Sequence, residues 1–231
     1  MQLGQRSSGS LLPPLDNTNP TQKELFAMQK EHLWAVGREK VLAAPQLYVD
    51  VDVEADGIAG FGSMVALGAQ SPTGESFYSE IRPYSKKFLS GHRDFCNEHG
   101  LQYERLMDEA PLVEIVMERY RAWLESITQK TGKKAVFTAF NAAFDWAHVD
   151  YAFAKSRLDN LHGIAPFDLK TLAMPIVGWN WDHTKKSKLP PEILPDGDFT
   201  HHALEDAQYQ QKIHFGLAAL LGERYDHIHN S

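Results

Sequence analysis

The sequence predicts a layered domain, α/β or α+β in class, built around one mixed β-sheet. Three observations carry that prediction. Three strand-like runs with short connections come first, between residues 46 and 81. Helical and strand-like runs then alternate from Pro111 to Phe167. The leading strand, Leu47-Tyr48-Val49-Asp50-Val51-Asp52-Val53-Glu54, alternates apolar and polar residues with period two, which gives the sheet two unlike faces.

The chain has 231 residues and is 43% hydrophobic, enough for one domain with a substantial core. Its net charge of -7 argues against a general electrostatic grip on nucleic acid. It leaves room for an enzyme that meets phosphates with metal ions and a local basic patch. The single cysteine, Cys96, excludes an internal disulfide and suits a reducing, cytoplasmic setting. The first residues lack the apolar stretch of a secretory signal, and no apolar run is long enough to span a membrane. No repeat is visible.

Taken in order, residues 1–44 read as a flexible tail, with Ser7, Ser8, Gly9, Pro13 and Pro14, followed by a helix. That helix runs from Gln22 to about Ala43 with Thr21 as N-cap, and Leu25, Phe26, Met28, Leu33 and Trp34 form its expected apolar stripe. It is expected to pack on the main domain or on a partner. The domain proper is expected over 45–222. Strands are expected over 46–54, 63–70 and 76–81 as an antiparallel meander. A partly helical stretch with Phe88, Phe95 and Cys96 ends at His99-Gly100. Pro111 opens a helix with Leu112, Ile115, Val116, Tyr120, Trp123, Leu124 and Ile127 at helical spacing. A strand follows over 135–140, a helix over 143–156 and a last short strand over 164–167. Asp168 then caps a helix that reaches Ala173. The long loop 175–200 is of the length usually reserved for function or motion. The final helix runs from His201 or His202 to about Leu221, leaving 223–231 as a C-terminal tail.

The acidic strand face poses the chemical question. Aspartate is a poor strand former, and several carboxylates on one buried face would repel one another. Either that face is solvated or a cation covers it, and a divalent metal ion takes several carboxylate ligands. Further acids and histidines stand at other element ends: Asp145 early in the helix after strand 135–140, and His201 with Asp206 at the last helix. Four carboxylates from distant parts of a chain suit two metal ions about 3.5–4 Å apart, which hold a phosphodiester and activate water. A nearby neutral histidine takes the proton. The five-residue step from His201 to Asp206 turns roughly 140° on an ideal helix. His201 is therefore expected in the entry loop or first turn, with His202, which better shares the face of Asp206, as the rival base.

Asp52-Val53-Glu54-Ala55-Asp56-Gly57, Asn141-Ala142-Ala143-Phe144-Asp145-Trp146 and His201-His202-Ala203-Leu204-Glu205-Asp206-Ala207 resemble, in order and context, the three motifs of the DEDDh exonuclease family. The first is Asp-x-Glu with a glycine three after the Glu, matched by Gly57. The third is His-x-Ala-x-x-Asp. His99-Gly100-Leu101 followed by Ala110-Pro111 resembles the family's middle segment. The resemblance covers roughly residues 46 to 221. The glycine register selects Asp52 and Glu54 over Asp50, which becomes a supporting or solvated residue. Where many members have Thr-Thr after the Glu, this chain has Ala55-Asp56.

The resemblance implies a ribonuclease H-like fold, a mixed five-stranded sheet flanked by helices with the site at the strand ends. It implies a 3'-5' exonuclease acting on the 3' end of single-stranded RNA or DNA and releasing nucleoside 5'-monophosphates. Two Mg²⁺ or Mn²⁺ ions would bind at Asp52, Glu54, Asp145 and Asp206, with His201 as general base. Ala55, Gly57, Met64, Asn141 and Phe144 are the expected substrate contacts. Met64 and Phe144 read equally as core, and Asn141 as a helix cap. His99 either approaches substrate or simply ends its helix. The Trp179-Asn180-Trp181 loop with Lys185, Lys186 and Lys188 either guides a single strand or is packed by its tryptophans. Several relatives are dimers, so a homodimer joined by the N-terminal helix is one expectation, and a helix that merely covers the sheet the other. The rivals are a non-catalytic nucleic-acid-binding protein on the same fold and a ribonuclease H-like endonuclease. The first would break the five-residue constellation. The second would lack the His-x-Ala-x-x-Asp pattern and would cut closed circles.

Overall fold

The structure is a computed structural model that describes residues 20–197 and 199–229. Its central strand β1 (Gln46–Ala55) carries the alternation noted above. Leu47, Val49, Val51 and Val53 turn to one side, none more than 4% exposed. There they meet Val116, Met117, Tyr120 and Leu124 of helix α4 (Val113–Thr131) and Val149 and Phe153 of helix α5 (Ala142–Lys155). The sheet order is β3-β2-β1-β4-β5. Strands β2 (Met64–Gln70) and β3 (Ser76–Glu80) form the antiparallel meander, while β4 (Lys134–Ala139) and β5 (Phe167–Asp168) run parallel to β1 and to each other. This is the mixed sheet expected, with five strands and helices on both faces. The connections to the parallel strands hold α4 and α5, as a parallel crossover requires.

The other face of β1 is covered by helix α7 (Ala203–His229), which continues well past Leu221. The expected C-terminal tail is thus helical to His229. The Tyr48 ring lies 5.1 Å from that of Phe167 and 5.7 Å from that of His214. Asp50 is wholly buried, not solvated: one oxygen accepts from Gln211 Nε2 at 3.3 Å and lies 3.3 Å from His214 Nδ1. Burial pushes the Asp50 carboxyl up, and His214 opposes that rise. The first half of the acidic face is therefore matched by the polar residues of one helix.

Helix α1 (Gln22–Ala43) starts as expected. Thr21 Oγ1 accepts from Glu24 N at 3.3 Å and Glu24 Oε2 accepts from Thr21 N at 2.7 Å, a reciprocal cap. It packs along α7 through only part of the expected stripe, with Trp34 buried and Leu33 half-buried. Leu25, Phe26 and Met28 are exposed, and the buried line is Lys30, Trp34, Gly37 and Val41. A lysine and a glycine in that line hide it from a hydrophobicity reading. Lys30 pairs with Asp196 at 2.7 Å, Trp34 Nε1 donates to Ile193 O at 3.2 Å, and Trp34 and Val41 pack on Phe215.

Several elements depart from expectation. Helix α2 (Ser90–Glu98) is the partly helical stretch that ends at His99-Gly100, and a further helix, α3 (Tyr103–Glu109), follows where none was expected. The last strand is shifted to Phe167–Asp168, leaving Ile164 in solvent, and Asp168 caps α6 (Leu169–Ala173) as expected. The loop 175–200 holds three short 3-10 turns, Trp181–Thr184, Lys186–Lys188 and Pro191–Ile193, and its tryptophans are exposed rather than packing it. The expected flexible tail lies, up to residue 19, outside the described residues. Among the described residues no helix is long and apolar enough to cross a membrane.

The α1–α7 contact is close enough to test. A Cβ on Gly37 would stand 1.7 Å from the carbonyl oxygen of Phe215, so only glycine allows this approach. Gly37→Ala is expected to cost about 1–3 kcal/mol, or roughly 3–10 °C in Tm. Thermal unfolding monitored by circular dichroism checks it, and an unchanged Tm would mean that α1 does not brace α7.

Candidate active site

The site forms where two parallel strands part. Pairing of β1 with β4 ends at Asp50 and Thr138, while β1 continues with β2 to Ala55. Beyond that point the freed backbone groups need partners. Two side chains supply them. Gln210 of α7 donates to Val51 O at 2.7 Å and accepts from Phe140 N at 2.8 Å. Asp145 Oδ1 accepts from Val53 N at 3.0 Å. The gap so held open receives Asp52 and Glu54 from β1, Asp145 from the first turn of α5 and Asp206 from the first turn of α7.

The α7 entry places the last group. His201 lies before the helix in the left-handed region, φ 59°. The Asp206 carboxylate folds back to accept from Thr200 N at 2.8 Å and His201 N at 3.0 Å. A His201 ring nitrogen and oxygens of Glu54 and Asp206 lie within 4.8 Å of one another. Gly68 makes this approach feasible: it faces Asp52 across the β1–β2 ladder, and a Cβ there would stand 2.2 Å from the Ala203 carbonyl carbon. His201 is flanked by Phe95 and His99, each ring centroid 4.5 Å away. His99 Nδ1 donates to Phe95 O at 2.8 Å. His202 turns aside and stacks on Tyr78 at 4.2 Å.

Burial, and after it the crowding of the acids, governs the electrostatics. Burial, then Asp145, Glu54 and Asp206, hold the Asp52 carboxyl well above its ordinary range. Glu54 is pushed to about 8 by burial, then by Asp206 and Asp145. Asp145 is pushed to about 7 by burial, against the opposing bond from Val53. Asp206 is raised by burial, against the Thr200 and His201 amides. Burial, then His99, lowers His201 and favours its neutral form. Four acids whose carboxyls burial holds above their ordinary range, with one imidazole beside them, are a hard oxygen-rich donor set. That set fits divalent cations of the Mg²⁺ or Mn²⁺ type.

The other expected contacts are distributed unevenly. Phe144 is half-buried and, with Glu54, Ala55, Gly91, His92 and Phe95, lines a cavity of about 350 Å³ beside the acids. Ala55 is 6% exposed at its wall. Gly57 is buried and its carbonyl accepts from His148 Nε2 at 3.0 Å; burial drives His148 down to about 4, so the ring is neutral. Met64 has no exposed surface and belongs to the main core, so it is not the substrate contact expected. Asn141 is exposed and left-handed, φ 78°, and makes no side-chain cap. Asp168 instead accepts from Asn141 N at 3.1 Å and Ala142 N at 3.0 Å through Oδ1, while Oδ2 caps α6.

Three features escaped the sequence. Gln210 and the Asp168 double contact bridge elements far apart in the chain and carry no motif. Asp56, where a Thr-Thr pair was missing, is structural: it accepts from Ser63 N at 2.6 Å and pairs with Arg93 at 2.7 Å, whose guanidinium lies between the Phe88 and Tyr103 rings. The pairing of Phe95 and His99 at i,i+4 on α2 was a usable signal for a shared face.

An Escherichia coli protein named 3'-5' DNA exonuclease Cap18 is 31% identical over 182 residues, spanning 78% of this chain and 95% of that protein. The nuclease domain of 3'hExo, described as a DEDDh family member bound to rAMP, superposes with TM-score 0.58 at 15% identity, covering 78% of this chain and 94% of that one. A 3'-exonuclease in a structure of histone mRNA stem-loop recognition gives TM-score 0.58 at 14% identity, covering 87% and 81%. At such identities the two solved structures speak to the fold alone. No protein-family model matches the sequence.

The acid crowding has a pH signature. Below 4.5 Glu54 is protonated folded and unfolded alike; between 4.5 and about 8 only the unfolded chain releases the proton, so stability falls as pH rises through that window. In EDTA, Glu54→Gln is expected to raise Tm by about 3–8 °C at pH 8 and to leave it unchanged at pH 4. Calorimetry at the two pH values checks this, and no gain at pH 8 would refute the crowding.

Proposed function

Because the chain belongs to the DEDDh family of 3'-5' exonucleases, we propose that it removes nucleotides one at a time from the 3' end of single-stranded DNA with two divalent ions. The observation that carries this reading is the meeting of Asp52, Glu54, Asp145 and Asp206 beside His201 at the strand parting. The choice of DNA follows the printed activity of the E. coli relative.

The four carboxylates would hold Mg²⁺ or Mn²⁺. When bound, such a pair of ions steadies the scissile phosphate and the charge that grows on the attacking and leaving oxygens. The chain's own groups do the rest. His201, kept neutral by burial and by His99, takes a proton from the water that attacks phosphorus. The bond from phosphorus to the 3'-oxygen breaks, and that oxygen takes up a proton from solvent. The products are a nucleoside 5'-monophosphate and a strand one residue shorter with a new 3'-hydroxyl. Phe95 and His99 limit the swing of the His201 ring. The cavity between Phe144 and Phe95 offers two apolar walls to the terminal base.

The test is a time course on matched 5'-labelled single-stranded DNA and RNA with Mg²⁺, Mn²⁺ or EDTA. A metal-dependent ladder that shortens from the 3' end, faster on DNA, is expected. Asp52→Ala should abolish it, and His201→Ala should slow it roughly 10²–10⁴-fold. An undiminished ladder in EDTA would sink the metal reading. Parent-like rates in the His201 variant would move the base elsewhere.

A further inference from the structure

The segment between α6 and α7 presents a combination found nowhere in the catalytic gap. Trp179 is 74% and Trp181 52% exposed. Their exposure is not that of a loose loop. Trp179 N donates to Met174 O at 2.8 Å, and the residue holds φ 61° directly after left-handed Gly178. Asn180 accepts from Asp182 N at 3.0 Å and so starts the turn that carries Trp181. An ordered backbone thus keeps two indoles in solvent, where apolar area is otherwise withdrawn.

Charge around them runs against the chain as a whole. The protein has 23 lysines and arginines against 30 acids, yet residues 169–188 hold Lys170, Lys185, Lys186 and Lys188 against Asp182 alone. Lys170 Nζ lies 4.4 Å from the Trp181 ring centroid, and Lys185 and Lys188 are exposed. The segment also adjoins the acids. Lys186, seated over Phe199 and Tyr209 at 3.9 and 4.2 Å, acts on the charges of both His201 and Asp206.

We propose that this segment is a stacking platform for the strand upstream of the 3' end, with Trp179 and Trp181 receiving unpaired bases and Lys170, Lys185 and Lys188 receiving phosphates. The proposal deepens the exonuclease reading and rests on it. Indoles stack on any base whose face is free, and lysines meet the backbone, so the ligand is a single strand without sequence preference. A duplex hides its base faces from such rings. A protein partner would need a continuous apolar patch, whereas here lysine and asparagine interrupt the indoles.

The experiment measures KM and kcat on single-stranded DNA from a dinucleotide up to ~12 nucleotides. In the parent, KM should fall as the strand lengthens. In Trp179→Ala/Trp181→Ala the fall should flatten, leaving KM for the longest strand roughly 5- to 100-fold above the parent with kcat kept. Trp179→Phe/Trp181→Phe should restore most of the length dependence, which a merely structural role would not. Parent-like length dependence in the alanine variant overturns the platform, as does an equal loss on the dinucleotide. If the parent cleaves nothing, the exonuclease reading fails by itself. Tryptophan fluorescence then decides the platform: quenching by single-stranded DNA in the parent and not in the alanine variant supports it, and no quenching overturns it.

Discussion

Mutual repulsion among Asp52, Glu54, Asp145 and Asp206 is the constraint the rest of the molecule answers to. Four acids do not gather in a buried gap unless the backbone around them is held by something else. Here it is held by amide groups and by shape: Gln210 bridging β1 and β4, Val53 N–H on Asp145, the Thr200 and His201 amides on Asp206. The Gln210 bonds fix backbone, and the amide bonds fix the Asp145 and Asp206 carboxylates without neutralising them. The charge is left for a cation to match.

Helix α7 unites these demands. Near its start it supplies Asp206, and one turn further on it supplies Gln210. Further along it answers the buried Asp50 with Gln211 and His214, and then gives its back to α1 through Phe215. Glycines at both crossings, Gly68 under its start and Gly37 at its back, let it lie closer to its neighbours than any side chain would permit. A single element thus carries the geometry of the acid cluster and the packing around it together.

The ribonuclease H-like sheet and the family were legible in the sequence because they rest on local patterns: the alternation in β1, the helical spacing of α4, and three short motifs with the right neighbours. The gathering of the acids could be foreseen for the same reason, since each stands at an element end. What stayed hidden depends on non-local pairing. The buried line of α1 includes Lys30 and Gly37, which no hydrophobicity pattern marks, so of the expected stripe Trp34 is buried while Leu25, Phe26 and Met28 face solvent. Asp50 stayed open between a supporting and a solvated role because its partners lie on α7, far along the chain. Met64 was ambiguous between base contact and core, and its buried place at the start of β2, beside β1, makes it core. Asp56 could be seen as a departure from the motif, but its use for Arg93 could not.

Asp168 joins two regions that the chain keeps apart. One oxygen secures the start of α5, which carries Asp145, and the other secures α6, from which the tryptophan segment departs. A carboxylate with both oxygens engaged behaves as a shared pivot, and the two helices cannot tilt independently without breaking a bond. A displacement at the start of one helix is therefore passed to the start of the other through a single side chain, so the seat of Asp145 and the departure of the tryptophan segment are set together.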